Sequence, residues 1–342
     1  MMNVKKMGRI PLLGPKKGLL LALGWLVLIT TLHLCLNGPG GQAGNRERIR
    51  IGYLPITCHL LLPIAMERDN FFKDRVEPVK FSSWPDMIEA FKGGELQAAM
   101  ILAPIAISMK SQGVPLKIAL YGHRNGTGLV MARGLSGPSD LIGKEIAIPI
   151  RFSTQNLALL EFLERSGISK EDVEIVELPP PDMPSAMAAK AISAYIVGEP
   201  YASQAELDGT GFVYCEADAI LPEFISSLLI VSERFLEGRK KEADRLVRGL
   251  YDQGSWIERH RKDAADIGAS FYGLSKRLLE YVLVGSSDRV RYSGLIPKDE
   301  EIEEIERAMK EQGLIARDSI GPGRGSIIYT GWLDRLDMAD KR

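Results

Sequence analysis

A chain of 342 residues, 45% apolar and 25% charged, is a folded protein large enough for two lobes of ordinary domain size, which excludes a disordered polymer. Net charge is −1, and the cations Lys5, Lys6, Arg9, Lys16 and Lys17 all precede residue 45; removing these five from 43 leaves 38 basic against 44 acidic residues, a net of −6. Such a balance leaves no basic face for nucleic acid.

The first 44 residues read as a targeting segment: a basic stretch, the 19-residue run from Gly18 to Leu36, then NGPGGQAG. The run is longer than the roughly 7 to 15 residues of a signal core and close to the about 20 that span a bilayer. Cleavage after Ala43, with Gly41 as the second small residue, and retention as a membrane anchor both fit. Lipidation at Cys35 fits less well, because Leu34 precedes it. Each outcome puts the folded part outside the cytoplasm, since the positive charges stay inside.

From Arg48 strand and helix alternate. RIRIGYLP is a β-rich run, HLLLPIAMERDNFF has helical spacing and VEPVKFSS is a second strand. In SSWPDMIEAFKGG, Ser83 and Asp86 form a capping box, Pro85 lies in the first turn and Gly93–Gly94 stops the helix. QAAMILA, VPLKIALYG and TGLVMARG are further strands. The pattern then restarts, with DLIGKEIAIPI as strand, STQNLALLEFLERSGI as a helix between Ser153 and Gly167, and VEIVELP as strand.

The block Glu177 to Ala205 is read as strand end, helix, strand, helix. Pro179 to Pro181 close the strand, Asp182 caps a helix with Pro184 near its first turn, Gly198 ends AISAYIV and Pro200 opens the next helix. GFVYCEA and SSLLIVSERFL follow, and from about Glu233 the chain is helical. In EEIEEIERAMKEQG, the stripe of Ile302, Ile305 and Met309 faces the core. GPGRGSII, Gly321 to Ile328, lacks the Lys-Ser/Thr of a phosphate loop and reads as a surface loop. Two alternating α/β units without a repeat of 20 to 50 residues predict an α/β protein of two doubly wound lobes.

Catalytic signatures are missing. There is no GxSxG, HExxH or paired CxxC, and His33, His59, His123 and His260 stand in unrelated contexts. Cys58 and Cys215 lack metal-ligand spacing and read as two separate small apolar residues. The expectation is a protein without enzyme activity, cofactor or metal. What the chain offers is a set of polar and aromatic residues in strand-end loops, where ligands of parallel sheets sit: Thr57 and His59, Trp84, Asn125 and Thr127, Ser153, Thr154 and Gln155, and Glu199 with Tyr201. Helix amino ends at Trp84, Ser153 and Pro200 would turn N–H groups toward an anion or polar head group. His59 and His123 fit either a cleft role or a structural one.

These residues, with IGYLPITCHLLLPIA, SSWPDMIEAFKGGELQAAMIL, LPPPDMPSAMAAKAISAYIVGEPY and YTGWLD, resemble the substrate-binding proteins of ABC importers that serve nitrate, bicarbonate, sulfonates and thiamine precursors. The resemblance covers nearly all of 48–335. It implies a type II periplasmic binding protein, with residues 48–130 plus 232–335 as lobe one, 131–231 as lobe two, two crossover strands and a ligand cleft between the lobes. It implies an extracytoplasmic monomer that takes a small polar or anionic solute and hands it to a permease with its ATPase, touching the membrane through that permease or its own N-terminal segment. The same lobes could serve a ligand sensor or, with less support, an enzyme. Trp84 stands where the nitrate and bicarbonate branch has a tryptophan at its anion site, and Thr57 matches a threonine in that branch's first loop. Thr127 stands where nitrate binders carry glutamine and Gln155 where they carry histidine, and a lysine expected around Phe224 to Ser226 is absent.

Overall fold

The computed structural model describes residues 24–31, 47–285, 289–316 and 327–333. Residues 24–31 form helix α1, with Trp25 and Leu26 exposed. The cleavage, anchor and Cys35 readings otherwise lie outside the described residues, as does most of the loop at 321–328. No helix among the described residues is long and apolar enough to cross a membrane.

From Arg48 onward the chain forms one compact unit built on two five-stranded sheets. The strands are β1 Ile49–Tyr53, β2 Val76–Lys80, β3 Ala98–Leu102, β4 Leu116–Tyr121, β5 Arg124–Asn125, β6 Thr127–Ala132, β7 Glu145–Ile148, β8 Glu174–Glu177, β9 Ala194–Gly198, β10 Gly211–Glu216, β11 Ser227–Ser232 and β12 Val290–Arg291. The first sheet has the order β2-β1-β3-β11-β4 and the second β8-β7-β9-β6-β10, so each strand has a counterpart in the other sheet. In both, three parallel strands are followed by an antiparallel one, β11 or β6. Those two strands border the crossings: the chain leaves the first sheet through 122–126 and returns through 217–226.

Position 130 falls inside β6, which belongs wholly to the second sheet, and β11 up to Ser232 belongs to the first. Alternation of apolar residues locates a strand but says nothing about which sheet will pair with it.

The helices are α2 Leu61–Arg68, α3 Asn70–Arg75, α4 Trp84–Lys92, α5 Ala103–Ser111, α6 Thr154–Arg165, α7 Met183–Ala188, α8 Tyr201–Asp208, α9 Glu233–Gly238, α10 Lys240–Arg259, α11 Arg261–Tyr272, α12 Lys276–Val284 and α13 Asp299–Glu311. The periodicity missed α5: it follows β3 without a break, and Ala103 to Met109 are all buried, so it has no polar stripe to betray it. The predicted caps at Ser83 and Ser153 are present, each oxygen accepting a backbone N–H three residues on. Asp182 makes no capping bond. In α13, Ile302, Ile305 and Met309 are buried as expected. The first crossing runs hard against the loop after β1: a Cβ on Gly122 would lie 2.2 Å from the carbonyl oxygen of Cys58, so only glycine fits.

Candidate functional site

Loops from both sheets meet in a closed polar cluster. After β1, Thr57, Cys58 and His59 form a short 3-10 turn and are all buried. Thr57 donates its backbone N–H and its hydroxyl to the carbonyl of Glu199, each at 2.9 Å, tying the leading loop of the first sheet to the end of β9 in the second. Tyr201 Oη donates to Pro55 O at 3.3 Å across the same boundary.

Both histidines are neutral. Desolvation pushes His59 and His123 down to about 3. Leu54 N–H donates to His59 Nδ1 at 2.8 Å, which puts the ring proton on Nε2, 3.1 Å from Ser227 Oγ. The single hydroxyl proton of Thr57 goes to Glu199, so His123 Nε2, 3.2 Å away, donates to Thr57 Oγ1. His59 is thus a satisfied structural residue, while His123 fixes the Thr57 rotamer.

His123 Nδ1 is buried without a partner, and Gln155 and Trp84 each carry such an atom too. Gln155 is 1% exposed and donates Nε2 to Thr127 Oγ1 at 3.3 Å and Ser226 Oγ at 2.8 Å, yet its Oε1 has no partner. Trp84 opens α4 with 2% exposure, packs edge-on to His59 at 5.9 Å between ring centroids, and leaves its Nε1–H unpartnered. Trp332 Nε1, packed against Tyr251, is also unpartnered but lies outside this network. The hydrogen bonds linking His59, Ser227, Thr57, His123, Thr127, Gln155 and Ser226 bring in no Lys or Arg side chain. Arg124, beside His123, bonds to Gly294 O and Glu301 instead.

The other expected residues act as fasteners. Ser153 accepts from Asn156 N–H as the α6 cap, and Thr154 donates to Ile225 O at 2.7 Å. Asn125 sits in the first crossing at φ 63°, with its N–H donating to Phe224 O and its register partner Val290 on β12. The amino ends of α4, α6 and α8, expected to aim free N–H groups at a ligand, are each met by a side chain: Ser83, Ser153 and the Glu199 carboxylate, which accepts from Ser203 N at 3.0 Å. Short polar side chains preceding a helix compete for those same donors. Cys58 and Cys215 are both free, as read from the sequence, with burial pushing the Cys58 thiol up to about 12.

Glu199 presents only its carbonyl to Thr57. Its carboxylate is fully buried behind the loop and meets Ser203, whose hydroxyl donates at 2.7 Å, and Arg289, 3.6 Å away. The Arg289 guanidinium also faces Glu206 at 3.8 Å and Glu216 at 3.7 Å. Desolvation raises the proton affinity of Glu199 above the usual carboxylate range, and it pushes Glu216 up to about 7 with the charge of Glu199 second. The folded state therefore binds a proton at Glu216 more tightly than the unfolded chain, so stability falls as pH climbs from about 4.5 to about 7. Glu216→Gln, in the field of Glu199, Glu206, Asp218 and Arg289, is expected to flatten that slope. Discounted for partial exposure, the gain at pH 8 is about 1 kcal/mol with none at pH 4; melting curves across this range with an unchanged slope would remove Glu216 from the titration.

Several members of the cluster were not legible in the sequence. Ser226 and Ser227 lie at the segment where the resemblance places a lysine, the one available hint. Tyr272 Oη donates to Ile56 O at 3.1 Å and Tyr292 Oη to Thr57 O at 2.8 Å, both from the C-terminal part of the chain, where no local signal marks them. A separate cavity of about 330 Å³ opens between α6, the second crossing and α13, lined by Thr154, Leu157, Phe224, Ile305 and Arg307 among others. It shares only Thr154 with the expected residues.

Comparison with known proteins agrees with this architecture. The ligand-binding component of an ABC-type import system from Staphylococcus aureus superposes with a TM-score of 0.74 at 25% identity, over 84% of this chain and 98% of that one. The taurine-binding periplasmic protein of Escherichia coli is 35% identical over 152 residues, 43% of this chain and 47% of that protein. The nitrate import ATP-binding protein NrtC of Synechocystis is 26% identical over 252 residues, 66% of this chain and 38% of that protein. The chain thus spans less than half the length of these two curated relatives. The fold is that of periplasmic binding proteins. A family model described as the NMT1-like family matches residues 42–271, and the chain accordingly belongs to the NMT1-like family.

Proposed function

We propose that this protein is the extracytoplasmic solute-binding component of an ABC importer, holding a small polar molecule between its two sheets and handing it to a permease with its ATPase. The observation that carries the reading is the set of unmet buried atoms, Trp84 Nε1–H, Gln155 Oε1 and His123 Nδ1, at a network that spans both sheets. A buried polar atom left unpaired costs about 1–3 kcal/mol, and a ligand placed against these atoms would recover that cost. It would offer an acceptor to Trp84 and donors to Gln155 Oε1 and His123 Nδ1. With both histidines neutral and no Lys or Arg in the network, a polar solute carrying a donor suits the site better than a bare oxyanion, whose charge would go unpaired.

Sheet membership supports a first lobe of 48–126 with 227–333 and a second of 127–226, moving about the two crossings. A ligand touching both lobes favours the closed state by its differential affinity, and no bond is made or broken. The relatives' periplasmic names and the basic, apolar start of the chain support export.

A thermal-shift panel of nitrate, bicarbonate, alkyl and aryl sulfonates, taurine and uncharged pyrimidines tests the reading. A true ligand at 100 times its dissociation constant stabilises by about 2.7 kcal/mol. The expected result is a shift with a donor-bearing compound and none with nitrate. If no compound shifts the midpoint and native mass spectrometry of the purified protein finds no bound small molecule, the solute-binding reading fails.

A further inference from the structure

We propose that Arg289 is a positioning residue of the cleft, a strap from the C-terminal helical segment that holds Glu199 in place and, through its carbonyl, sets Thr57. The inference rests on the cleft reading above and adds a residue that touches no solute. Arg289 lies between α12 and β12, while the carboxylates and the hydroxyl its guanidinium meets belong to the end of β9, to α8 and to β10. Its Nη1 donates to Ser203 Oγ at 2.5 Å, and its guanidinium nitrogens stand 3.6 to 3.8 Å from Glu199, Glu206 and Glu216. Tyr281 of α12 lies under the guanidinium, 5.2 Å from it to the ring centroid, and donates its hydroxyl to Glu206 Oε2 at 3.2 Å.

The two faces of Glu199 make this consequential. One residue carries a fully buried carboxylate in the ion cluster and the carbonyl that accepts both Thr57 bonds. Its N–H donates to Gly126 O at 2.8 Å, so its backbone is held on both sides of Cα, by Gly126 and by Thr57. Three carboxylates around one guanidinium repel each other; without Arg289 the buried Glu199 charge would keep only Ser203 as partner. It would then protonate or turn toward water, and either would move the carbonyl. Tyr195, beneath Glu199, and Asp208 and Asp218 complete the groups that face the cluster, and none of these brings a positive charge. Arg289 is the cation that the cluster's hydrogen bonds and ion pairs supply.

Residue-resolved hydrogen exchange on the full chain in detergent tests this without a ligand, because the Thr57 amide reports its bond to Glu199 directly. In Arg289→Gln the Thr57 amide is expected to exchange about tenfold faster or more at pH 7.5, while amides of Met100 and Ile101 in β3 keep their wild-type rates. Arg289→Lys should fall between, since an ammonium restores the charge but not the fork. Glu199→Gln, which keeps a carbonyl for Ser203 and loses the ion pair, should also raise Thr57 exchange. Unchanged Thr57 exchange in both Arg289→Gln and Glu199→Gln, or a rise matched by β3, overturns the proposal. The two readings fail separately: a wild-type protein that binds nothing in the panel sinks the solute-binding reading and leaves the exchange result standing.

Discussion

Arg124→Ala is expected to lower the free energy of unfolding by about 3–5 kcal/mol. Arg124 lies in the first crossing with 4% of its side chain exposed, and its guanidinium is fully committed: Nε donates to Gly294 O at 2.9 Å, Nη2 lies 2.9 Å from Glu301, and Nη1 is 3.3 Å from Glu223. Its guanidinium also lies over the Tyr121 ring, whose hydroxyl donates to Glu301 Oε2 at 3.0 Å. Truncation leaves Glu301 without its main counter-charge, and a half-buried carboxylate without a cation is the costly outcome, more than the loss of the pair itself. Lysine should recover little, because one ammonium cannot serve a carbonyl and two carboxylates in the geometry of a fork. Replacing both partners, Arg124→Met with Glu301→Leu, is expected to return stability to within about 1 kcal/mol of wild type. Denaturant curves with unchanged slope measure all four proteins; a single Arg124→Ala loss below about 1 kcal/mol would show that the crossing does not depend on this ion pair.

The second large effect concerns binding, and its sign reverses between free and loaded protein. Trp84→Phe keeps the ring against His59 and deletes only the unpartnered N–H, so the ligand-free protein should be unchanged or stabilised by up to about 1 kcal/mol. Affinity for whichever panel compound shifts the wild type should fall about tenfold, the value of one hydrogen bond. Trp84→Ala, which also removes a large buried ring, should lose both stability, by about 3–5 kcal/mol, and detectable binding. If Trp84→Phe instead destabilises the free protein and leaves affinity alone, the indole N–H serves the fold and not a solute.

Much of the architecture could be read before the tertiary structure. The strands after 48, the capped helices at Ser83 and Ser153 and the strand-helix-strand-helix block around Glu177 to Ala205 follow from local rules, because period, cap and turn are properties of a few consecutive residues. The sequence by itself also determined which loops carry polar residues, and Thr57, Trp84, Thr127, Gln155 and Glu199 do converge on one network or its rim. Only the tertiary structure decided what each of them does there. Thr154 spends its hydroxyl on the Ile225 carbonyl, His59 is satisfied by Leu54 and Ser227, and Glu199 turns its carboxylate toward Ser203 and Arg289. Such roles depend on partners more than sixty positions away, as Thr57 on His123 and Glu199, Gln155 on Ser226 and Arg289 on Glu199, and no local pattern encodes them. Side-chain hydrogen bonding is settled by which elements are packed together, so the sequence could list the polar groups at the strand ends while packing alone chose that Trp84, His123 and Gln155 each keep an atom without a partner.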